Sequence, residues 1–466
     1  MKQPNILFIY SDQHRADAMG CAGNALIHTP NLDRLASEGV RFTQAWTESP
    51  ICQPARASLL TGLYPHQHGI IGNFTGECRP EWRTYPRMLQ EAGYSTAVIG
   101  KTHYSNWPMG KEKEPAPADD WLQSFGYDHV VEEFDRYVHV NFATPYTEFV
   151  KARGDLEAYQ RAVSDRFRIG DRHWEAVTSP LPQELDLSSF LASEAERWLE
   201  AQTDDKPWFL NLAFVQPHVP LMGDPEWADV YQDLFIPRSN TAIPEPENDQ
   251  WAQHLEALKK HSRSELLTDE FVLAGARQYY AMVSLIDQKM GELIGRLESR
   301  GALDNTLIIY ASDHGEMLGD HGLMAKMCFY QASVRIPLII RPPGGCDAAV
   351  YDAPVQAFDM VATMLDLAGA GPLPDSAAHS LVPVVQGADV KVREIAHSMI
   401  RLRPGLPTWT AASDGNYRLT YELNTGECVE LFDLKRDPDE NENLASSRLA
   451  QGQRDRLLEL SRESLA

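Results

Sequence analysis

The chain has 466 residues, of which 43% are hydrophobic, so it is long and apolar enough to bury a large core. This length is compatible with two or three domains or with one large α/β core. The formal net charge of −24 argues against a nucleic-acid partner, because such a partner requires a basic face.

The N-terminal sequence and the cysteines indicate a cytoplasmic protein. The opening MKQPNILFIYSDQ has one lysine and an apolar run that reaches Asp12 too soon for a signal peptide. No stretch approaches the roughly 18 apolar residues of a membrane span, so we expect no membrane partner. The six cysteines are widely scattered without a C-x-x-C pair, which favours reduced thiols over a disulfide framework.

Short apolar, β-rich runs alternate with helical patterns along most of the chain. The runs are NILFIYS (5–11), STAVIG (95–100), WFLNLAFV (208–215) and NTLIIYAS (305–312). Such runs are typical of strands buried on both faces of a mostly parallel sheet. The helical patterns cover residues 31–40, 84–93, 188–202 and 276–301. This alternation predicts an α/β fold.

The predicted loops and the change of pattern near the C-terminus suggest a division into two units. Segments rich in proline and charge predict loops at 110–120, 178–186 and 237–250. Beyond residue 371 the sequence becomes a series of short strand-like pieces that ends in a helix. We therefore predict a main α/β unit over residues 1–380. A small antiparallel-sheet unit with a terminal helix is predicted over residues 381–466.

Polar side chains follow each of the four predicted strands. They are Asp12, Gln13, Lys101, His103, His218, Asp313 and His314. Ligands of open α/β sheets bind outside the carboxyl ends of the strands, so we expect these groups to share one site. Oxygen ligands with one imidazole favour Ca²⁺, Mg²⁺ or Mn²⁺ over Zn²⁺. Together with Lys326, the cationic groups would form an anion pocket, which suggests phosphoryl or sulfuryl transfer.

Cys52 occupies an unusual place for a thiol. Pro54 is well placed as the first residue of a helix, and ARASLLTG predicts a helix that stops at Gly62. Cys52 would then lie at the N-terminal end of this helix. The helix dipole and free N–H groups there favour anions and predict a lowered thiol pKa.

The stretch CQPAR from Cys52 to Arg56, followed by Thr61 and Gly62, resembles the signature of the type I sulfatases. Five further stretches resemble the same family: TPNLDRLASEGVRFTQAW (29–46), GKTH (100–103), SDHGEMLGDHGLMAK (312–326), VRIPLII (334–340) and LFDLKRDPDENENLA (431–445). The resemblance implies an alkaline-phosphatase-like fold. That fold has a large, mostly parallel central sheet flanked by helices and a small C-terminal α+β subdomain.

The resemblance also implies a modified nucleophile and a metal. A formylglycine-generating enzyme would oxidise Cys52 to Cα-formylglycine, whose hydrate attacks the sulfur of a small sulfate ester. One divalent cation is implied, with Ca²⁺ expected first and Mn²⁺ or Mg²⁺ as alternatives. The implied ligands are Asp12, Gln13, Asp313, His314 and residue 52 itself.

The same resemblance implies roles for other side chains of the site. Arg56 would hold the formylglycine diol, and Lys101 would bind both the diol and the sulfate. Asp313 would take the proton of the attacking hydroxyl. His103 would remove the proton of the second hydroxyl, so that the aldehyde re-forms and sulfate leaves.

The leaving-group side is less defined by the sequence. His218 and Lys326 would bind sulfate there and protonate the departing oxygen, and Asn73 is a further candidate for substrate binding. Aryl, alkyl, choline and sugar sulfates all stay open as substrates. The candidate specificity residues in the loops are Trp107, Trp121 and Tyr137. A homo-oligomer is compatible with the sequence.

The metal ligands depart from the common sulfatase pattern of Asp-Asp early and Asp-Asn late. Asp12-Gln13 and Asp313-His314 are similar to the phosphonate monoester hydrolases, which carry the same signature and also cleave phosphodiesters. Lys101 and His103 match the sulfatases instead. We therefore expect a sulfatase, with a phosphonate monoester hydrolase or phosphodiesterase as the alternative. A non-catalytic anion-binding relative would have lost the nucleophile or a metal carboxylate, and this chain keeps both.

Overall fold

A computed structural model of the protein describes residues 3–107, 119–167, 174–203, 205–237, 243–246, 248–403 and 405–465. The strands are β1 (Asn5–Asp12), β2 (Val40–Phe42), β3 (Ala45–Trp46), β4 (Ser95–Gly100), β5 (His129–Glu132), β6 (Val177–Thr178), β7 (Trp208–Pro217), β8 (Met222–Gly223), β9 (Thr306–Ser312), β10 (Leu338–Arg341), β11 (Ala349–Tyr351), β12 (Val355–Gln356), β13 (Ala396–Ile400), β14 (Trp409–Ser413), β15 (Tyr417–Glu422) and β16 (Cys428–Asp433).

Helices pack on both faces of the central sheet and on the C-terminal strands. They are α1 (Pro30–Ser37), α2 (Cys52–Thr61), α3 (Pro65–His68), α4 (Tyr85–Glu91), α5 (Asp119–Gln123), α6 (Pro145–Lys151), α7 (Leu156–Phe167), α8 (Leu187–Glu200), α9 (Pro225–Tyr231), α10 (Asp249–Ser262), α11 (Asp269–Ser299), α12 (Gln331–Val334), α13 (Asp359–Ala368), α14 (Val382–Val385) and α15 (Gln451–Leu465). Among the residues described here, no helix is both long and apolar enough to cross a lipid bilayer.

The eight-stranded sheet runs in the order β11-β2-β10-β9-β1-β7-β4-β5. The five strands from β9 to β5 are mutually parallel, and β10 is antiparallel to both of its neighbours. Alternate residues of β1 enter two different cores, with Phe8 on one face and Ile9 on the other. Both faces are thus buried, which explains why the strands read as continuous apolar runs.

Different helices cover the two faces of the sheet. Leu59 of α2, Leu89 of α4 and Met364 of α13 pack in the core on one face. Leu191 of α8 and Ile286 of α11 pack in the core on the opposite face. The molecule therefore has the layered helix–sheet–helix architecture that the sequence predicted.

The C-terminal part forms a separate four-stranded antiparallel sheet in the order β13-β14-β15-β16. Its core includes Leu457 of α15, the predicted terminal helix. Buried polar contacts join this sheet to the rest of the chain: the Met399 N–H donates to Glu48 O at 2.8 Å, and Arg393 pairs with Asp359. The predicted small subdomain is confirmed, while the boundary at residue 380 stays a prediction.

Most differences between the predicted and observed elements lie at their ends. The predicted helix 31–40 ends at Ser37, because Gly39 lies against the backbone of β10, where an added Cβ would lie 2.4 Å from Ile340 O. The last helical pattern begins earlier than predicted, at Asp269, because the Thr268 side chain accepts a hydrogen bond from Phe271 N.

The predicted loops are confirmed only in part. The loop at 110–120 lies mostly outside the described residues. The segment at 178–186 includes a short 3₁₀ helix over Gln183–Leu185. The last predicted loop, 237–250, lies partly outside the described residues, and it ends earlier than predicted because α10 begins at Asp249.

Candidate active site

The parallel strands β9, β1, β7, β4 and β5 are neighbours, so their carboxyl ends open onto one edge of the sheet. Asp12 is the last residue of β1, and Asp313 directly follows β9. Lys101 directly follows β4, and His218 directly follows β7. The structure therefore brings together at this edge the groups that the sequence placed after the four strands.

Helix α2 delivers Cys52 to the same edge. Ile51 is extended, and its carbonyl accepts a hydrogen bond from Ala55 N at 3.2 Å, so Cys52 is the first residue of the helix. Pro54 is the third helical residue rather than the first, which corrects the predicted start. The Asn73 side-chain oxygen accepts from Gln53 N at 2.9 Å and so satisfies one of the free donors at this helix end.

Four side chains form a cluster that is suited to a metal ion. One ligand atom from each of Asp12, Cys52, Asp313 and His314 lies within 4.8 Å of all the others, and all four residues are buried. His314 Nε2 lies 3.1 Å from Cys52 Sγ, while Nδ1 lies 2.9 Å from Gly315 O. Nδ1 therefore carries the proton, which leaves the Nε2 lone pair directed at the cluster.

Gln13 lies beside this cluster but makes other contacts. Its backbone N–H donates to Asp313 Oδ1 at 3.0 Å, and its φ of 73° is in the left-handed region. Its side-chain oxygen accepts a hydrogen bond from Lys326 Nζ, and its side-chain nitrogen donates to Glu316. Gln13 thus connects Lys326 to the cluster, and its predicted role as a metal ligand stays a prediction.

The guanidinium of Arg56 lies between the two carboxylates of the cluster. Nε is 2.9 Å from Asp313 Oδ2, and Nη2 is 3.2 Å from Asp12 Oδ2. Nη1 donates to the backbone oxygen of Lys101, and the group lies 5.2 Å from the centre of the Tyr10 ring. Arg56 therefore forms ion pairs with both buried carboxylates and connects the ends of three strands.

Lys101 and His218 meet at a third carboxylate. Lys101 Nζ lies 2.7 Å from Asp12 Oδ2 and 2.9 Å from Asp135 Oδ2. His218 Nδ1 lies 3.4 Å from the same oxygen of Asp135. Gly100, with φ of 111°, permits this arrangement, because a Cβ there would overlap Ala213 O of β7.

His103 has a strained and enclosed position. Its φ is 54°, and its ring packs against Phe134 and Phe74 at centroid distances of 4.6 and 5.7 Å. Both ring nitrogens are buried and lack a hydrogen-bond partner among the described residues. A buried imidazole without partners in a rare backbone conformation suggests that a bound group completes its hydrogen bonds.

The predicted lowering of the Cys52 pKa is wrong. Burial raises the pKa of this thiol to about 12, and the negative charge of Asp12 acts in the same direction. The opposing effect of Lys326 and Lys101 is smaller. The helix N-terminus is present as predicted, but the loss of water around the sulfur dominates.

Burial and charge set the protonation of the other site groups. Burial lowers the pKa of His314 to about 4 and that of His218 to about 3. Burial also holds the pKa of His103 well below its usual value, with Lys101 as the next cause. Burial opposes ionisation of Asp12, but the nearby cations, Lys101 first, hold its pKa well below the usual range. The site thus combines neutral imidazoles with an ionised carboxylate.

Sequence reasoning missed Asp135 as a site residue. It lies three residues after β5, a short strand that was not predicted. The signal was the run HVVEEFD, an apolar pair followed by acidic residues, but a four-residue strand at a sheet edge gives a weak pattern. Trp107 and Tyr137 lie in an aromatic cluster with Phe134, beside His103. Trp121 instead packs against Phe125, in the core of the sheet.

Comparisons with known proteins match almost the whole chain. The family model named Sulfatase matches residues 4–370, and the model for the C-terminal part of N-sulphoglucosamine sulphohydrolase matches residues 319–462. The chain is 31% identical over 463 residues to the choline-sulfatase of Rhizobium meliloti, and the aligned region covers 96% of this chain and 83% of that protein. It is 28% identical over 465 residues to the arylsulfatase of Clostridium perfringens, and the aligned region covers 96% of this chain and 91% of that protein.

A solved structure shows a similar fold over the same length. The phosphonate monoester hydrolase of Agrobacterium radiobacter superposes with a TM-score of 0.80 at 27% identity. The superposition covers 99% of this chain and 96% of that chain.

The raised pKa predicts that the unmodified Cys52 thiol is inert. With a pKa of about 12, only about one thiol in 10⁴ is ionised at pH 8. In protein that retains the thiol and is kept metal-free with a chelator, iodoacetamide should alkylate Cys52 far more slowly than the partly exposed Cys346. Peptide mass spectrometry measures both rates, and denaturation in urea should equalise them. Equal alkylation rates of Cys52 and Cys346 in the folded protein would contradict the raised pKa of Cys52.

Proposed function

Because this chain belongs to the sulfatase family and is a sulfuric ester hydrolase, we propose that it cleaves sulfate monoesters with residue 52 as the nucleophile. The predicted resemblance and the alkaline-phosphatase-like fold are confirmed. The proposal is that a formylglycine-generating enzyme converts Cys52 to Cα-formylglycine before the chain is active. The observation that carries it is the burial of Cys52 among Asp12, Asp313 and His314.

The donor set around Cys52 fits a divalent metal. Two carboxylates, one imidazole nitrogen with its lone pair exposed to the cluster, and the residue-52 side chain converge from three elements. Oxygen donors of this kind suit Ca²⁺, and the single imidazole also allows Mn²⁺ or Mg²⁺. When bound, such an ion would polarise the ester oxygens and favour ionisation of the nucleophilic hydroxyl.

The side chains around residue 52 would divide the chemistry between them. The aldehyde hydrate supplies the attacking hydroxyl, and Asp313 is placed to accept its proton. Arg56 lies against Asp313, which fixes the orientation of that carboxylate. Lys101 and Lys326 supply positive charge for the non-bridging sulfate oxygens. His103 is neutral in the free site, so it can accept the proton of the second hydroxyl when sulfate is released.

The departing oxygen would leave on the side of His218. Its ring is neutral in the free site, so it would take up a proton once the ester is bound and then donate that proton to the departing alcohol as a general acid. Asn73 stays a candidate for substrate binding, with its oxygen already engaged at the start of α2. The aromatic cluster next to His103, which contains Trp107 and Tyr137, is the candidate wall for the leaving group.

The alternative is a phosphonate monoester hydrolase or phosphodiesterase. Asp12-Gln13 with Asp313-His314 and the likeness to a phosphonate monoester hydrolase favour it. A phosphodiester carries a second organic group on one of the three oxygens that a sulfate monoester leaves free. Lys101, which is buried and held by two carboxylates, would close the site around three free oxygens. We therefore place sulfate monoesters first.

Substrate preference tests this ranking. On one preparation, the specificity constant kcat/KM should be higher for sulfate monoesters than for phosphodiesters and phosphonate monoesters. The ratio should shrink in Lys101→Ala, because differential contacts in the transition state set it. Lys289→Ala, which removes a lysine of α11 that pairs with Glu292 and not with a site residue, is the control and should leave the ratio unchanged. A wild-type enzyme that turns over any phosphodiester faster, per unit concentration, than every sulfate ester of a broad panel would reverse the ranking.

The modification has a direct signature in mass. Conversion of the Cys52 thiol carbon to an aldehyde should lower the intact mass of active protein by about 18 Da. Cys52→Ala should fold and bind metal but lose turnover, because it removes the nucleophile and leaves the scaffold. Cys78→Ala, a buried cysteine outside the site, should keep both the mass shift and the turnover. Full activity at the unmodified mass would exclude formylglycine.

The metal assignment predicts one divalent cation per chain. Asp313→Asn should bring the metal content well below one per chain, because a hard ion then loses one of two anionic ligands. Elemental analysis of the desalted protein gives the content. Asp186→Asn, which changes a buried carboxylate at the start of α8, is the matched control and should keep its metal. Native metal content in Asp313→Asn would show that the ion binds elsewhere.

A further inference from the structure

Asp135 is a buried carboxylate with no role in the chemistry proposed above. Its side chain is 3% exposed, and its Oδ2 lies 2.9 Å from Lys101 Nζ and 3.4 Å from His218 Nδ1. Its Oδ1 is buried and has no hydrogen-bond partner in the described part of the chain. Burial opposes its ionisation, but Lys101 brings the pKa of Asp135 below its usual value. A buried, ionised carboxylate destabilises the folded protein unless charged or hydrogen-bonding partners compensate for its loss of water.

The contacts of His218 determine which ring nitrogen carries the proton. Nδ1 lies 3.0 Å from Val219 O and 3.4 Å from Asp135 Oδ2, and both of these atoms are acceptors. Nδ1 must therefore be the protonated nitrogen of the neutral ring. The other nitrogen, Nε2, is then the one that can exchange a proton with the substrate.

Lys101 contacts the same oxygen of Asp135 as His218 does. Its Nζ lies between Asp12 Oδ2 at 2.7 Å and Asp135 Oδ2 at 2.9 Å. One oxygen of Asp135 therefore contacts both a group that would bind sulfate and a group that would protonate the leaving alcohol. A carboxylate beside an imidazole stabilises its charged form, the form that a general acid requires.

We propose that Asp135 is a positioning residue for departure of the alcohol: it keeps Nδ1 of His218 protonated and stabilises the imidazolium whose Nε2–H is donated to the departing oxygen. In this step the bond between sulfur and the ester oxygen breaks, and its electron pair stays on that oxygen. Because the ring is neutral in the free site, Nε2 first takes up a proton from solvent when the anionic ester is bound. The departing oxygen takes that proton, and the ring returns to its neutral form with the proton on Nδ1. The inference rests on the proposed function, in which His218 is the acid.

The test is how the effect of Asp135→Asn depends on the leaving group. The wild type and the variant are compared on aryl sulfates whose departing phenols span a wide pKa range. Good leaving groups need little protonation, so kcat/KM for 4-nitrophenyl sulfate should fall less than about tenfold. For the poorest leaving group the fall should reach about 100-fold, the lower end of general acid catalysis. A uniform fall across the series, or no fall, would overturn the inference.

Glu133→Gln is the matched control. Glu133 lies two residues before Asp135 and is equally buried, but its carboxylate binds His139 Nε2 at 2.9 Å and Tyr146 N at 2.7 Å. Any loss of activity from this variant reflects packing, so it should be the same for every ester in the series. A dependence on the leaving group in Glu133→Gln would mean that disturbance of this loop alone produces the effect, and would overturn the inference.

A double-mutant cycle with His218→Gln separates this inference from the proposed function. His218→Gln alone should slow poor leaving groups most, and Asp135→Asn should add no further leaving-group dependence to it. If His218→Gln shows no such dependence, the proposed acid is wrong and the inference fails with it. If only His218→Gln shows it, the proposed function stands and the inference fails. Should Asp135→Asn not fold, Asp135→Ser enters the same cycle with the same expected outcomes.

Discussion

The ion pairs of Arg56 are the interaction on which the rest of the site depends. Asp12 and Asp313 end neighbouring strands, so the sheet itself forces two carboxylates together in a buried place. Without Arg56, Asp313 would lose its guanidinium partner and Asp12 would keep only Lys101, and loss of one partner of a buried pair typically costs about 3–5 kcal/mol. Arg56 follows Cys52 by four residues, one helical turn, so both side chains project from the same face of α2. The ion pairs that Arg56 makes with the two carboxylates therefore also fix the position of residue 52.

Burial has opposite consequences for the thiol and for the imidazoles. It keeps the Cys52 thiol protonated, with a pKa raised to about 12, and a thiol in that state is a poor nucleophile. It keeps His314 and His218 neutral, and a neutral imidazole can bind a metal or accept a proton. This environment disfavours a charged thiolate. It is compatible with the proposed nucleophile, an uncharged hydrate at residue 52 that loses its proton only during attack.

The likeness of this chain both to sulfatases and to a phosphonate monoester hydrolase has a physical basis. Sulfate monoesters and phosphodiesters are both singly charged, and attack at either centre needs a nucleophile opposite a leaving group and cations around the remaining oxygens. The difference lies in whether one of those oxygens carries a substituent. Lys101 and His103 are therefore the positions at which we propose that the two reactions separate. They occupy the loop that follows β4, and Gly100 permits the close approach of that strand end to β7.

The sequence by itself determined the fold class and most of the members of the site. Buried parallel strands leave continuous apolar runs, and the residue after such a strand is placed by the sheet, so Asp12, Lys101, His218 and Asp313 could be found without coordinates. Only the tertiary structure decided how these groups are charged and paired. The pKa of Cys52 depends on how much water the whole fold removes from the sulfur, which outweighs the local helix end. The place of Asp135 depends on an edge strand of four residues, which leaves only a weak pattern, and on the loop after it, which brings the carboxylate into contact with Lys101 and His218.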